Sequence, residues 1–298
     1  MNADLTHPVF IDEDKAREHL EMLRWPNGPF CPHCGDAEKI TRLEGKSHRP
    51  GLHQCNACRQ HFTVTVGTLF ERSHIPLHKW LLAFHLMSAS KKGISAHQLH
   101  RMLGITYKTA WFMAHRIREA MTNKPNGMLG NSGPVEADET FIGTKPGARK
   151  RRGYGHKNAI VSLVERGGEV RSFHVPSVNA KTLKSILKSH IVENARLVTD
   201  DAGQYRIIGP EFAEHDVVCH SNGEYVREDV HTNTVEGYFS ILKRGLIGTY
   251  QHVSVQHLQR YVCEFDFRYN HRHRTDFQRT TDALKCIEGK RLTYRRTD

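Results

Sequence analysis

His231-Thr-Asn-Thr-Val-Glu236-Gly-Tyr-Phe-Ser-Ile-Leu-Lys243-Arg244 reads as a helix with two distinct faces. Val235, Phe239, Leu242 and Leu246 recur at helical spacing and form one apolar stripe. Glu236, Ser240 and Lys243 share another face, because positions i, i+4 and i+7 align at about 3.6 residues per turn. A carboxylate and an ammonium are thereby offered together to one ligand. Working outward, Asp200 closes an apparent strand with 35 residues between it and Glu236, and Asp138 closes another with 61 residues before Asp200. Three carboxylates gathered from such positions suit two divalent cations and a phosphodiester, with Lys243 beside the phosphate.

The flanking residues refine this reading. In Val135-Glu-Ala-Asp138-Glu-Thr-Phe-Ile, alternation puts Val135, Ala137 and Phe141 on one strand face and Glu136 and Asp138 on the other. Glu139 lines up with the apolar residues, where a charge is costly unless the strand ends there. In Arg196-Leu-Val-Thr-Asp200-Asp201 either aspartate could serve, and periodicity does not choose. Asn233-x-x-Glu236 also fits a capping box, with Asn233 as N-cap and Glu236 at the third helical position, a role compatible with ligation.

A formal net charge of +11 over 298 residues and a pI near 9.4 point to a polyanionic partner, nucleic acid by default. No basic amphipathic helix with an aromatic face stands out, and no apolar run approaches the ~20 residues that span a bilayer. The N-terminus lacks the basic flank and apolar core of a secretory signal, which points to a cytoplasmic protein. Seven cysteines, an odd count, argue against a disulfide framework.

Four of the seven cluster. Cys31-Pro-His-Cys34 and Cys55-Asn-Ala-Cys58, with 20 residues between, are two knuckles whose thiolates suit one tetrahedral zinc of structural type. Around them short strands and turns read as a ribbon. Residues 10–25 ahead of it form an amphipathic helix, so residues 1–70 make a first region. Residues 71–125 turn helical. Ser95 caps a helix carrying Leu99 and Leu103, Gly104 supplies a turn, and Thr106 caps a second helix whose exposed face offers Tyr107, Lys108, Arg116 and Arg118. This is a helix-turn-helix pattern suited to DNA docking.

A Gly-, Asn- and Pro-rich linker over 122–134 leads into residues 126–298. There, strands at 134–142, 159–165, 170–176, 196–200 and 215–219 alternate with helices at 180–192, 233–245 and 254–269, which indicates an α/β domain with a mixed sheet. Its loop 145–157 carries Lys145, Arg149, Lys150, Arg151, Arg152 and Lys157 without an acid, and reads as a phosphate-backbone clamp. Arg244 and the late tract Arg268-Tyr-Asn-His-Arg272-His-Arg274 add further positive charge.

These stretches resemble the bacterial insertion-sequence transposases of the zinc-ribbon plus DDE type, the ISXO-like group. The resemblance rests on the two cysteine knuckles, on Asp138-Glu-Thr-Phe-Ile-Gly, on Val-Thr-Asp200, and on the tract from His231 to Gly-Thr-Tyr250, ending in Glu264-Phe-Asp-Phe-Arg-Tyr-Asn-His-Arg. It covers roughly residues 15–275. The chain departs from the pattern at Thr144, where a second glycine is common, and at Phe239, where tryptophan is frequent.

The resemblance implies an RNase H-like catalytic domain behind the zinc ribbon and helix-turn-helix. It implies Asp138, Asp200 and Glu236 as ligands of two Mg2+ (or Mn2+) ions, chooses Asp200 over Asp201, and gives Lys243 an auxiliary role. The expected activity is cleavage at the ends of an insertion sequence, followed by joining of the 3′-OH to target DNA. Expected partners are double-stranded DNA and further copies of the chain in the synapse, in a bacterial, nucleoid-associated setting. Two other readings remain: a non-catalytic DNA-binding regulator, and a plain metal-dependent nuclease.

Overall fold

The alternation in Val135-Glu-Ala-Asp-Glu-Thr-Phe-Ile is realised as a strand at the centre of a five-stranded sheet. A computed structural model describes residues 4–122, 127–150, 152–219, 223–224, 226–290 and 292. Arg151, of the basic loop, lies outside the described residues. The chain divides into two units, Thr122–His273 and the remainder.

In the unit spanning Thr122–His273, the sheet joins β4 (Val135–Ile142), β5 (Asn158–Glu165), β6 (Val170–Val175), β7 (Arg196–Asp200) and β8 (Glu214–Val218) in the order β6-β5-β4-β7-β8. β4, β5 and β6 pair antiparallel, whereas β7 runs parallel to β4 and β8 parallel to β7. This mixed order is the RNase H-like arrangement. Every residue of β5 is buried, as a strand covered on both faces must be.

One face packs Val135, Ala137, Val161, Leu163 and Leu197 against α5 (Ala180–His190) and α6 (Gly203–Ile208). The other packs Ile160, Val164 and Val170 against α7 (Asn233–Lys243) and α8 (Val255–Asn270). The expected stripe of α7 is buried there, with Val235, Phe239, Leu242 and Leu246 all in that core. A short hairpin, β9 (Val226–Arg227) and β10 (Val230–His231), feeds α7.

Of the late basic tract, Arg268 and Arg272 are engaged within this unit, while His273 and Arg274 are exposed. Arg268 is 5% exposed and paired with Glu264. Asn270 receives the Val170 N–H at 2.7 Å and donates to the Val170 carbonyl at 3.0 Å, and Arg272 donates to the Gly168 carbonyl at 3.0 Å. These bonds fasten the end of α8 to the start of β6.

The other unit holds α1 (Glu13–Arg24), a ribbon of β1 (Ile40–Leu43), β2 (Leu52–Cys55) and β3 (His61–Phe62), then α2 (Leu77–Ala89), α3 (Ala96–Leu103) and α4 (Tyr107–Met121). Ser95 accepts the Gln98 N–H at 3.1 Å, Gly104 adopts φ 60° at the turn, and Thr106 accepts the Thr109 N–H at 3.2 Å. The two-helix pattern with its caps is therefore present.

The exposed face expected of α4 is not. Arg116 is 7% and Arg118 2% exposed. Arg116 lies over the Trp80 and Phe112 rings, 5.8 Å and 5.4 Å from their centroids, and donates to the Glu71 carbonyl at 3.3 Å. Its apolar stem and planar head fill core space, so Arg116 is not available to a phosphate backbone. Tyr107 and Lys108, in the first turn, are exposed.

The sequence division left residues 274–298 with the last domain. The structure instead packs α9 (Asp276–Lys285) on α2 in this first unit, with Thr280 Oγ1 3.1 Å from His85 Nδ1 and the Leu69 N–H donating to the Ile287 carbonyl at 3.2 Å. Thr275 and Gln278 form a capping box at its start, a legible signal. Among the described residues no helix is long and apolar enough to cross a membrane.

Candidate active site and zinc site

Every helix begins with N–H groups that lack intrahelical acceptors. At α7 the N-cap is Thr232, and no side chain of its own segment caps it in the usual way. The acceptor comes from the sheet. Glu136, with no exposed surface, receives the N–H groups of Thr234 and Val235 at 2.9 Å and 3.0 Å and the Thr234 hydroxyl at 2.8 Å. Arg166 Nε donates to it at 2.6 Å while the Nη atoms reach the carbonyls of Asp229 and His231 at 2.6 Å and 2.7 Å, and His231 Nδ1 lies 3.3 Å from the same carboxylate.

The capping box read from Asn233 and Glu236 is thus replaced by Glu136. Asn233 is the first helical residue, and the Glu236 carboxylate accepts the Thr232 hydroxyl at 2.9 Å. Glu236, Ser240 and Lys243 lie together on the exposed side of α7, as their spacing requires. A π-helical turn, Arg244–Thr249, follows, and Arg244 is exposed with its Nε on the Ser240 carbonyl at 3.0 Å.

Asp138 lies two residues beyond Glu136 on the same strand face. The parallel register pairs Ala137 with Thr199, which sets Asp200 level with Asp138 at the next position. Asp200 Oδ1 accepts the Ala202 N–H at 3.1 Å, whereas Asp201 is approached by the Cys219 thiol at 3.5 Å. Register therefore separates two aspartates that periodicity could not.

Burial pushes the Asp138 carboxyl up to about 8, opposed by the Glu139 N–H and reinforced by repulsion from Glu139, Asp200 and Glu236. Burial and the Asp200 charge likewise raise Glu139, although the Tyr205 hydroxyl donates to it at 2.8 Å. Glu139 does point into the apolar side of the sheet, and Tyr205 is the partner that makes this tolerable. Neither the Glu136–Arg166 clamp nor the Glu139–Tyr205 pair was visible in the sequence, because each joins residues far apart along the chain.

An all-oxygen donor set that repels itself is chemically suited to hard divalent cations. The three carboxylates do not close to within 4.8 Å of one another as a single tight cage.

The cysteines are the opposite case. Sγ atoms of Cys31, Cys34, Cys55 and Cys58 all lie within 4.8 Å, with Cys31–Cys58 and Cys34–Cys55 at 3.6 Å. Tetrahedral thiolates at about 2.3 Å from zinc stand about 3.8 Å apart, so the four fit one ion. His53 and Phe62 stack with centroids 5.5 Å apart, and the Trp25 ring meets His53 edge-on at 5.3 Å.

The basic loop borders a cleft of about 520 Å³ lined by Gly147, Ala148, Arg149, Arg152, Gly155 and His156. Arg149, Lys150 and Arg152 are exposed. The loop is tied down by Tyr154, stacked on Phe141 at 4.7 Å, with Lys157 Nζ 5.3 Å from the Tyr154 ring.

Comparison with known proteins decides the family. An ISXO2-like transposase domain matches residues 131–270, and a transposase zinc-ribbon domain matches residues 11–61. The chain is 30% identical over 277 residues to an uncharacterized protein in transposable element ISH50 of Halobacterium salinarum, covering 87% of this chain and 92% of that one. The chain belongs to the ISXO2-like transposase family.

Two solved structures overlap this family member more loosely. A pre-cleavage Mos1 transpososome is 13% identical, covering 67% of this chain and 75% of that one, with a TM-score of 0.28. A Mos1 paired-end complex with the left transposon end is 14% identical over 65% and 75%, with a TM-score of 0.26.

Two outcomes are expected of this ISXO2-like chain. A mercurial titration of the purified protein should release one zinc per chain, and Cys34→Ser should abolish that release and unfold the ribbon. Retention of zinc by the variant would exclude the four-cysteine site. In metal-free buffer, folded Asp138 keeps its proton up to about pH 8, while the unfolded chain loses it near pH 4. The folded state then binds more protons, so stability falls as pH rises through that window. Asp138→Asn should flatten the fall in melting temperature, and a slope equal to the parent's would contradict the burial of this charge.

Proposed function

We propose that this chain is a DNA transposase that cuts the ends of an insertion sequence and joins the freed 3′-OH to target DNA. The observation that carries the reading is the meeting of Asp138 and Asp200 on neighbouring strands with Glu236, on the same helix face as Lys243. A regulator that only bound DNA would gain nothing from three acids that repel one another and the phosphate backbone.

Asp138, Asp200 and Glu236 would hold two Mg2+ or Mn2+ ions, which supply Lewis-acid polarisation of the scissile phosphodiester when bound. Lys243 and Arg244, exposed at the end of α7, would hold nonbridging phosphate oxygens near the reacting phosphorus. In cleavage, water oxygen bonds to phosphorus as the bond to the 3′-oxygen breaks. In joining, that 3′-oxygen attacks a target phosphodiester in line and a target 3′-oxygen leaves.

Arg149, Lys150, Arg152 and Lys157 would track the DNA backbone, and Arg151 is proposed with them on sequence alone. Lys108 would contact DNA from the start of α4, while the ribbon and helix pair find the terminal repeats. Two ends must be held together for joining, which calls for a homo-oligomer.

Incubation with end-containing DNA, target DNA and Mg2+ tests the reading. Joined product supports transposition. Cut but never joined DNA would favour a nuclease, and bound but uncut DNA a regulator. Asp138→Asn should reduce cutting to background, and Lys243→Ala should slow it by about 100-fold.

A further inference from the structure

Glu136 is a fully buried carboxylate that takes no part in the chemistry above. Its oxygens are occupied by four hydrogen bonds, from Arg166, from the Thr234 hydroxyl and from the Thr234 and Val235 amides. It is therefore not a fourth metal ligand. Its placement, however, is specific. It lies two residues before Asp138 on β4, and the amides it holds immediately precede Glu236 on α7.

We infer that Glu136, locked by Arg166, is a positioning residue that sets the reach of Glu236 toward the site held by Asp138 and Asp200. The strand advances about 6.6 Å over two residues, so the clamp sits one pleat away from the carboxylates it registers. A negative charge at a helix N-terminus is also favourable electrostatically.

The segment entering α7 is held from the second strand as well. Arg166 grips the Asp229 and His231 carbonyls, and Arg196 of β7, four residues before Asp200, pairs with both Asp229 and Asp216. The strands bearing Asp138 and Asp200 thus each hold the approach to the helix bearing Glu236. Glu236 is exposed and accepts the Thr232 hydroxyl. Its backbone follows directly on the Thr234 and Val235 amides that Glu136 holds.

This inference rests on the metal-site reading, so the test separates the two. Mn2+ binding to the full-length protein is followed by loss of the free-ion EPR signal, with helical content and melting temperature measured in parallel. Glu136→Gln replaces one of the two acceptor oxygens with an NH2 that faces donors. It should fold and raise the half-saturating Mn2+ concentration by about 10-fold or more, the usual effect of losing an outer-shell support. Leu187→Ala, a cavity in the opposite core, should lower the melting temperature while leaving that concentration unchanged. Arg166→Lys keeps the charge pair but loses the forked grip, and carries the same expectation as Glu136→Gln should the latter not fold. Parental Mn2+ binding in a folded Glu136→Gln or Arg166→Lys protein, beside lost binding in Asp138→Asn, would overturn the positioning role alone. Undiminished binding in Asp138→Asn would overturn the metal site itself.

Discussion

A carboxylate with no exposed surface must find donors or lose its charge, and the donors found by Glu136 organise the second unit. On one side is Arg166, in the turn between β5 and β6. On the other are the first free amides of α7. One buried acid thereby satisfies a helix terminus and neutralises an arginine. It also pins a helix from the far end of the sequence to the central strand. The carboxylates at Asp138, Asp200 and Glu236 come from three separate elements, and their meeting depends on that join.

The same unit sorts its charges by depth. Glu136, Glu264, Asp266 and Arg268 are turned inward and paired, Asp266 with the Tyr238 and Ser172 hydroxyls. Glu236, Lys243, Arg244 and most of the described basic loop face outward. Asp138 falls between these classes, buried enough to be driven toward its neutral form and close enough to other acids to resist ionising. A divalent cation would relieve both penalties together. In the other unit the four cysteines, too small a ribbon around them to carry a core, meet the same problem with one zinc.

Much of this was legible in order along the chain. The stripe of α7, the alternation in β4 and the two cysteine knuckles are local patterns, and local patterns survive folding when nothing opposes them. What escaped were partnerships across long separations. Arg116 and Arg118 carry charges that sequence assigns to solvent, yet the Trp80 and Phe112 rings make a place for the Arg116 head. The Asn233–Glu236 capping box was well formed in sequence and lost to Glu136, whose bond from strand to helix spans 98 residues. Choosing Asp200 over Asp201 from the residues themselves needed the register of β7 on β4. The helix at 276–285 had a capping box in plain view, but its packing against α2 was non-local.

Anomalous diffraction from crystals grown with Mn2+ tests whether strand and helix bring three carboxylates to one pair of cations. Anomalous peaks are expected bonded to Asp138 and Asp200, one of them also to Glu236, with Glu136 still holding the Thr234 and Val235 amides. Peaks that leave Asp138 unligated, or a Glu236 turned away with the Glu136 bonds intact, would contradict it.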